Sequence, residues 1–260
     1  MRLPVQRWAH WEPVRGGLAG HDLVAAHYPD AQVFRVCAQA PDVPPAHAND
    51  AKPWWRRFTP AAATAPATVT VAAPPDGAMQ LVWANMLAHQ CADPAALLAD
   101  WQRALALDGF VMFSCLGPDT LRELRALYAE QGWPPPAQAF ADMRDWGGQL
   151  LAAGFTDPVM DTERITLTFE TPARLLAELR ELGRNLHPAR HAALRTPRWR
   201  GRLEAGLDQH LRPAGGGALQ LTFEILYGHA LKAAPRFAAA RSTAIPLHEV
   251  RQQLRQRQKP

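Results

Sequence analysis

The stretch MQLVWANMLAHQCADPAALLADWQRALALDGFVMFSCLGPDTLREL, residues 79–124, decides the fold. It begins with a short apolar run, Met79–Asn85, which is typical of a buried strand. Asp93-Pro94 predicts the start of a helix, because Asp is favoured at the N-cap and Pro at the first helical position. A second apolar run, Phe110–Ser114, predicts the next strand. A strand, a helix and a strand in this order imply parallel strands joined by a right-handed crossover.

The later segments extend this pattern. Thr120 with Glu123 predicts a capping box for a second helix. Thr171-Pro172 predicts the start of a later helix in the same way as Asp93-Pro94. Asp161–Phe169 alternates and is rich in β-branched residues, which predicts a strand, and Ala218–Leu231 predicts a long final strand. Because these two strands follow the parallel series, we expect them to pair antiparallel at one edge. The predicted fold class is therefore α/β, a doubly wound, mostly parallel sheet with an antiparallel edge strand.

The segment before residue 79 raises a question about ligand binding. Residues 11–36, WEPVRGGLAGHDLVAAHYPDAQVFRV, contain glycines, then a helical stretch, then a β-branched run. This is the outline of a phosphate- or nucleotide-binding turn. The glycines are Gly16, Gly17 and Gly20, a spacing that differs from G-x-G-x-x-G. Two interpretations stay open: a shortened cofactor loop, or an ordinary turn built on a glycine pair.

Composition limits the class of protein. The chain has 260 residues, of which 48% are hydrophobic, enough for the core of one large domain. No apolar run reaches the length needed to cross a bilayer, and the N-terminus has no apolar region typical of a signal peptide. Three widely spaced cysteines predict free thiols in a reducing cytosol rather than a disulfide framework or a zinc site. The segment 41–75 is rich in Ala and Pro and predicts a loop, apart from a short strand at Thr68–Ala73.

Basic residues are concentrated in two places, although the formal net charge is only +4. These places are the segment Arg184–Arg202 and the tail Arg251–Lys259. A basic surface favours acidic partners. No recognised nucleic-acid-binding motif accompanies them, so we predict no nucleic-acid partner. We predict no membrane partner either, because no apolar run is long enough to cross a bilayer. For domain organisation we predict a single domain at 1–245 and a basic tail at 246–260.

Several motifs follow one another in a familiar order. Ala84-Asn85 leads out of a strand, Leu105-Asp108-Gly109 forms a turn, and Phe113-Ser114 is followed by Gly117-Thr120-Glu123-Leu124. On these residues the chain resembles the class I S-adenosylmethionine-dependent methyltransferases. It is more closely similar to those that act on malonyl-carrier protein in biotin synthesis, although Cys91 replaces a Trp of the family pattern. The resemblance covers about residues 76–232 and implies a Rossmann-like fold with a helical substrate-side insert at about 172–212.

The resemblance implies S-adenosylmethionine as the cofactor. Active members carry E/D-x-G-x-G-x-G after the first strand, and here Gly16, Gly17 and Gly20 occupy the place of that loop. An acidic residue that accepts the ribose hydroxyls ends the second strand in the family, and Cys37 stands there in this chain. Asn85 follows a central parallel strand, where ligands of open α/β sheets bind. With Asn85, we predict His89 and the three glycines as cofactor-binding residues.

The resemblance also implies an acyl carrier protein, carrying an acyl thioester, as the partner. Carrier proteins are acidic and a malonyl carboxylate is anionic, which suits recognition by arginine. The predicted substrate- and partner-binding residues are Arg184, Asn185, His187 and Arg190 in the insert, and Tyr227 in the final strand. We predict no catalytic residue, because a carboxylate nucleophile is already ionised at neutral pH and needs no general base. We also predict no metal, because the sequence has no Cys-x-x-Cys motif or tight His/Cys cluster.

Three functions remain open at this point. The first is methyl transfer from S-adenosylmethionine to the carboxylate of a malonyl group on acyl carrier protein. The second is a catalytically inactive methyltransferase-like protein that binds a partner through the basic insert. The third is a relative by fold alone with a different small ligand, since fold does not fix function.

Overall fold

The computed structural model describes residues 4–13, 19–37 and 68–234. Gly16, Gly17, the predicted loop up to residue 67, and the basic tail lie outside these residues. The strands are β1 (Arg7–Trp11), β2 (Gln32–Val36), β3 (Thr68–Val71), β4 (Met79–Ala84), β5 (Leu105–Leu116), β6 (Thr156–Phe169) and β7 (Leu219–Leu231). The α-helices are α1 (Ala19–His27), α2 (Pro94–Ala104), α3 (Arg122–Glu130), α4 (Met143–Ala152), α5 (Pro172–Glu181) and α6 (Pro197–His210).

The strands form one sheet in the order β3-β2-β1-β4-β5-β7-β6. β1 to β5 pair in parallel, whereas β7 pairs antiparallel with both β5 and β6. The predicted doubly wound sheet is confirmed, and so is the antiparallel pairing of the two late strands at one edge. β7 runs antiparallel to both of its neighbours. It is the second strand from that edge, because it lies between β5 and the edge strand β6.

Two predicted helix starts are confirmed in detail. The Asp93 side chain accepts a hydrogen bond from the Ala96 N–H at 3.0 Å, which caps α2. The Thr171 hydroxyl accepts from the Arg174 N–H at 3.2 Å and caps α5. In both cases Pro occupies the next position, where its missing N–H costs nothing. These starts are local features, so the sequence pattern was sufficient to find them.

Two strands are longer than predicted because their neighbours extend the pairing. β5 begins at Leu105, which pairs with Met79, rather than at Phe110. Lys232, directly after β7, accepts a backbone hydrogen bond from the Asp108 N–H and donates one to the Gly109 carbonyl, both at 2.8 Å. β6 likewise begins at Thr156, opposite the last residue of β7.

The predicted capping box at the start of α3 is wrong. Leu121 is the N-cap residue, in a left-handed conformation with φ +58°, and no side chain caps the helix. The Thr120 hydroxyl donates to the Glu224 carbonyl oxygen and accepts from the Glu224 N–H, both at 3.1 Å. Glu123 accepts from the Thr222 N–H and hydroxyl. Tertiary contacts with β7 have therefore taken both groups that the local motif would have used.

Three hydrophobic clusters hold the layers together. α2 and α4 cover one face of the sheet through Trp101 and Trp146, which both contact Phe113 of β5. On the opposite face, α1 lies over Trp8 and Leu81. The third cluster joins α3, α5 and α6 to the sheet beyond the carboxyl end of β5. The helical insert is therefore packed onto the end of the sheet where ligands bind in this class of fold.

Three further findings bear on the class of protein. No helix of the described ranges is long and apolar enough to cross a membrane. Within the same ranges, no three His, Cys, Asp or Glu side chains are grouped so that they could hold a metal ion. Cys37, Cys91 and Cys115 are free thiols.

Candidate functional site

The carboxyl ends of the parallel strands bring four polar side chains to one edge of the sheet. Glu12 follows β1, Cys37 follows β2, Asn85 follows β4, and Ser114 lies near the end of β5. Because β2, β1, β4 and β5 are neighbours in the sheet, these residues form a row. The row crosses the point where the strand order reverses, which is the ligand-binding position of doubly wound folds.

Asn85 is held by hydrogen bonds from the neighbouring strand. The Ser114 hydroxyl donates to Asn85 Oδ1 at 2.6 Å and accepts from the Met86 N–H at 3.0 Å. Met86 has φ +50°, so the chain turns sharply after β4. Ser114 is buried, and we infer that it fixes both the turn and the orientation of the Asn85 amide.

Gly20 lies directly over this end of β4. A Cβ atom at position 20 would be 3.4 Å from Asn85 Nδ2 and 3.5 Å from the Trp83 ring. The start of α1 therefore approaches the β4 turn closely, as a cofactor-binding turn would. Of the predicted cofactor residues, Gly20 and Asn85 are brought together, whereas His89 lines a separate pocket with Arg184. Gly16 and Gly17 lie outside the described residues.

Cys37 is a poor substitute for a ribose-binding acid. Its thiol is buried, and burial raises its pKa, with the Glu12 carboxylate acting in the same direction. A neutral thiol accepts hydrogen bonds only weakly. Glu12, however, is close by: its N–H donates to the Val36 carbonyl at 2.8 Å. The carboxylate at this edge is therefore supplied by the end of β1 instead of the end of β2.

A second part of the site is a pocket of about 210 Å³ between the end of β5 and the helical insert. His89, Arg184 and Asn185 line it, so three predicted residues from distant parts of the chain come together here. Much of the remaining wall is apolar and includes Leu124 and Phe223. An apolar pocket with a few convergent polar groups is the usual form of a small-molecule site.

His89 is a neutral side chain in this pocket. Burial lowers its pKa to about 4. Its Nδ1 lies 3.3 Å from the Leu116 N–H and accepts from it, so we assign the ring proton to Nε2. The side chain amide of Gln138 donates to the His89 carbonyl at 3.1 Å, which fixes the backbone. His89 can therefore offer one N–H to a ligand without carrying charge.

The other insert residues have different positions. Asn185 donates to the Pro135 carbonyl at 2.7 Å and accepts from the His187 N–H at 2.8 Å, so its amide holds the loop in place. Arg190 donates to the His187 carbonyl at 3.2 Å. His187 and Arg190 are not among the residues that line the pocket, and both are at the surface or half-buried. Arg184 is the arginine of the predicted set that lines it.

Tyr227 lies near the carboxyl end of β4, outside the pocket that contains His89 and Arg184. Its hydroxyl donates to Glu163 Oε2 at 2.9 Å, and the residue is 41% exposed. It lines a hollow of about 240 Å³ together with Asn85 and His229. Tyr227 is predicted to bind substrate together with the insert residues, but it lies beside Asn85 and does not line the pocket of Arg184, because β7 pairs with the carboxyl half of β5.

Glu224 is an important residue that the sequence analysis missed. It is buried, and its carboxylate accepts from the Asp119 N–H at 2.8 Å and from the Thr162 hydroxyl at 3.2 Å. Its backbone also accepts from the Gly117 N–H. Glu224 thus holds the loop after β5, which forms part of the pocket wall. The available signal was an acidic residue inside an otherwise apolar strand segment, which is unusual in a buried strand.

A buried histidine pair lies below the site. His10 Nδ1 is 2.9 Å from His21 Nδ1, and Arg35 Nη2 is 3.4 Å from His21 Nε2. Arginine can only donate, so His21 accepts at Nε2, donates from Nδ1, and leaves the His10 proton on Nε2. Burial lowers the pKa of His10 to about 4, and also lowers that of His21, so both rings are neutral at neutral pH.

Comparison with known proteins adds independent information. No family model matches the chain. A malonyl-[acyl-carrier protein] O-methyltransferase of Laribacter hongkongensis is 35% identical over 221 residues, which cover 84% of this chain and 73% of that protein. The protein of the same description from Gallionella capsiferriformans is 34% identical over 223 residues, covering 85% and 75%. A third, from Nitrosospira multiformis, is 40% identical over 162 residues, covering 62% and 52%.

Solved structures support the fold. The YcgJ protein of Bacillus subtilis matches with a TM-score of 0.53 at 10% identity, over 88% of this chain and 92% of that one. A protein of Bacillus halodurans, described as a candidate methyltransferase, matches with a TM-score of 0.53 at 15% identity, over 89% and 94%. At these identities the likeness concerns the architecture, and it agrees with the strand order described above.

Proposed function

Because this chain belongs to the malonyl-[acyl-carrier protein] O-methyltransferase family, we propose that it transfers a methyl group from S-adenosylmethionine to the carboxylate of a malonyl group on acyl carrier protein. The observation that carries the proposal is the pocket between β5 and the insert. There, Arg184 and the neutral His89 are two of the polar groups in a largely apolar wall, next to the carboxyl ends of the strands.

The proposed reaction needs no proton transfer. S-adenosylmethionine supplies an electrophilic methyl group bound to a positively charged sulfur. One oxygen of the malonyl carboxylate forms a bond to the methyl carbon while the carbon–sulfur bond breaks, and that bonding pair stays on sulfur. The products are a methyl ester and S-adenosylhomocysteine. Because the carboxylate is ionised at neutral pH, the protein contributes by positioning the reactants and excluding water.

The residues at the sheet edge fit the cofactor in part. Glu12 offers a carboxylate for the ribose hydroxyls, beside the position where Cys37 offers only a buried thiol. Asn85 is oriented by Ser114 and lies under Gly20. We propose that Glu12, Gly20 and Asn85 bind the cofactor, together with Gly16 and Gly17, which lie outside the described residues.

The pocket residues suit the malonyl group. Arg184 can form two parallel hydrogen bonds to a carboxylate, which would restrict the rotation of the nucleophile. The His89 Nε2–H can bind a carbonyl oxygen, and its neutrality avoids a second strong attraction that would hold the carboxylate too tightly. The apolar wall excludes water from the reacting oxygen. Asn185 acts indirectly in this proposal, by holding the loop that carries Arg184.

A second function is favoured by one specific observation. The thiol of Cys37 stands where an acid is expected, and losing one charge-assisted hydrogen bond to ribose costs roughly 1.5–3 kcal/mol, or one to two decades of affinity. If Glu12 does not compensate, the protein is a catalytically inactive member of the family that binds a partner through the insert. Both functions use a partner bound through the basic insert, and they differ in whether the cofactor binds.

We propose the following organisation around this site. A single domain extends to about residue 245, with the substrate-side insert at about 172–212 and a basic tail at 246–260. The free thiols of the three cysteines support a cytoplasmic location.

Calorimetric titration with S-adenosylmethionine and S-adenosylhomocysteine tests the proposal. We expect measurable binding to the unmodified protein, and about tenfold or greater weakening in Glu12→Gln, since the amide loses the charge that strengthens the hydrogen bonds. Asp30→Asn, which changes a surface carboxylate beyond the far end of α1, is the matched control. Absence of binding at millimolar ligand would rule out the enzyme and leave the partner-binding function.

Methyl transfer itself is measured with S-adenosylmethionine labelled in the methyl group. We expect label on malonyl-acyl carrier protein and none on the unacylated carrier protein. Label on neither, in a sample that binds the cofactor, would contradict the proposed substrate.

A further inference from the structure

A hollow of about 430 Å³ opens between α5 and α6, on the outer side of the insert. Leu176 and Leu179 of α5 and Leu203 of α6 form part of its floor, and Tyr128 of α3 and Trp199 of α6 complete the floor. The floor is therefore apolar and aromatic. Such compositions are enriched at the centres of protein–protein interfaces.

The aromatic part of the floor is well packed. Tyr128 meets Trp133 edge-on with ring centroids 5.2 Å apart, and the Trp133 and Trp199 centroids are 5.6 Å apart. These contacts join α3 to α6 and fix the Trp199 ring. A floor held in this way changes little on binding, which reduces the entropy lost when a partner docks.

Three arginines form the polar part of the lining. They are Arg180, at the end of α5, Arg195, just before α6, and Arg200. The Arg195 guanidinium lies 4.1 Å from the centroid of the Trp199 ring, so stacking holds its plane while its N–H edges remain available. Within residues 4–13, 19–37 and 68–234, neither Arg180 nor Arg195 forms an ion pair, and no acidic residue lines the hollow.

Exposed leucines extend the apolar surface beyond the hollow. Leu182 is 64% exposed, and Leu194, in the loop that leads to α6, is 97% exposed. Isolated exposed leucines are common, but Leu194 directly precedes Arg195 of the hollow, and Leu182 lines the neighbouring pocket, which shares Leu179 with the hollow. The hollow itself combines an aromatic floor with two arginines, Arg180 and Arg195, that form no ion pair within the described residues. This combination indicates an interaction surface.

We propose that this hollow is the docking site for an acidic face of the acyl carrier protein, with Arg180 and Arg195 as the charged contacts and the ring of Trp199 as the apolar one. This inference rests on the proposed function for the identity of the partner. Charge complementarity supports it, because the lining has no acidic side chain and two of its three arginines, Arg180 and Arg195, form no ion pair within the described residues, whereas Arg200 is paired with Glu204. Arg184 and its pocket then bind the acyl group, whereas the hollow binds the carrier itself.

The position of the hollow agrees with such a division. Leu179 lines both the hollow and the pocket that contains His89 and Arg184. α5 therefore separates the two, and one turn of this helix connects the docking surface to the acyl site. A carrier protein held in the hollow would present its thioester arm at the wall of the pocket.

The test is direct binding of unacylated acyl carrier protein in the absence of cofactor, measured by calorimetry at low salt. We expect Arg180→Glu/Arg195→Glu to bind about tenfold or more weakly, because like charges now face each other across the interface. Arg144→Glu/Arg202→Glu is the matched control: it makes the same change in net charge at exposed positions on α4 and on α6 outside the hollow. The neutral pair Arg180→Gln/Arg195→Gln should give an intermediate loss, and the unmodified protein should bind more weakly as salt is raised.

Three results would overturn the docking site: no binding by the unmodified protein, the same affinity for the hollow variant as for the unmodified protein, or equal losses in the hollow and control variants. Thermal unfolding of each variant checks that it is folded. Because the assay contains no cofactor, a failure of methyl transfer would overturn the proposed function and leave this result unaffected.

Discussion

The Ser114 hydroxyl donates a hydrogen bond of 2.6 Å to Asn85 Oδ1, joining the carboxyl ends of β4 and β5. The same hydroxyl accepts from the Met86 N–H, so one buried group holds both the side chain and the turn that follows β4. The residue most directly placed to meet a ligand is therefore oriented by a neighbour that comes 29 positions later in the chain.

Ser114→Ala should lower the free energy of unfolding by about 1–3 kcal/mol, because two buried hydrogen bonds are lost. Urea denaturation measures the change. Thr166→Ala, which removes an exposed hydroxyl from the edge strand β6, should cost clearly less. Equal losses in the two variants would show that the Ser114 hydroxyl has no special role in holding this edge.

Two glycine substitutions should change stability in opposite directions. A Cβ atom at Gly228 would lie 2.2 Å from Phe113 Cε1, so Gly228→Ala forces β5 and β7 apart and should cost about 1–3 kcal/mol or more. Gly147 lies within α4 with no atom within 4 Å of a new Cβ, so Gly147→Ala should stabilise by roughly 0.5–1 kcal/mol. Thermal unfolding of both variants checks the signs, and a stable Gly228→Ala protein would contradict the described packing of Phe113.

Stability should fall as the pH drops below the ordinary histidine range. Burial lowers the pKa of His10 and of His89 to about 4, so between pH 6.5 and about 4 the unfolded chain binds more protons than the folded one. The stability that depends on these two histidines being neutral is fully present above pH 6.5 and is lost as the pH falls towards about 4. We expect a loss on the order of 2 kcal/mol for each residue between neutral pH and about pH 5.

Urea denaturation at a series of pH values measures this effect. His10→Phe should have a shallower dependence on pH than the unmodified protein, whatever its stability at neutral pH. His191→Gln, at an exposed position, should leave the dependence unchanged. Parallel curves for the His10→Phe and unmodified proteins would mean that His10 is not held neutral by burial.

Arg184→Met should raise the KM for malonyl-acyl carrier protein by about tenfold or more, because a charged hydrogen bond to the carboxylate is lost. Arg190→Met is the control, since Arg190 belongs to the same basic segment but does not line the pocket. Its effect on KM should be several times smaller. If the two variants are equally impaired, the carboxylate is not bound in the pocket between β5 and the insert.

Local features could be predicted with confidence from the residues alone because they depend on near neighbours. The N-caps Asp93 and Thr171 are bonded to residues three positions along the chain. The same local logic failed at Thr120 and Glu123, where the side chains bond to Glu224 and Thr222 about a hundred positions away. A capping motif predicts a bond only when no distant partner competes for the same groups.

The site shows the same division. Asn85 could be placed at the edge of the sheet, because the end of a parallel strand can be recognised from the sequence. His89 and Arg184 share a pocket, and the Asn185 amide holds the nearby loop, because of the way the insert packs. Tyr227 lies beside Asn85 because β7 pairs with β5. The importance of Glu224 arises from contacts with two other segments, and no local pattern contains them.

The sequence by itself determined the alternation of strands and helices, the antiparallel pairing of the last two strands, and the presence of Cys37 where an acid is expected. These follow from short-range periodicity, capping chemistry and the order of motifs. Only the tertiary structure decided that Glu12 stands beside Cys37, that His10 and His21 share a buried hydrogen bond, and that Arg180 lines the same hollow as Trp199. Such relationships join segments far apart in the chain, and they are set by the packing of whole elements against one another.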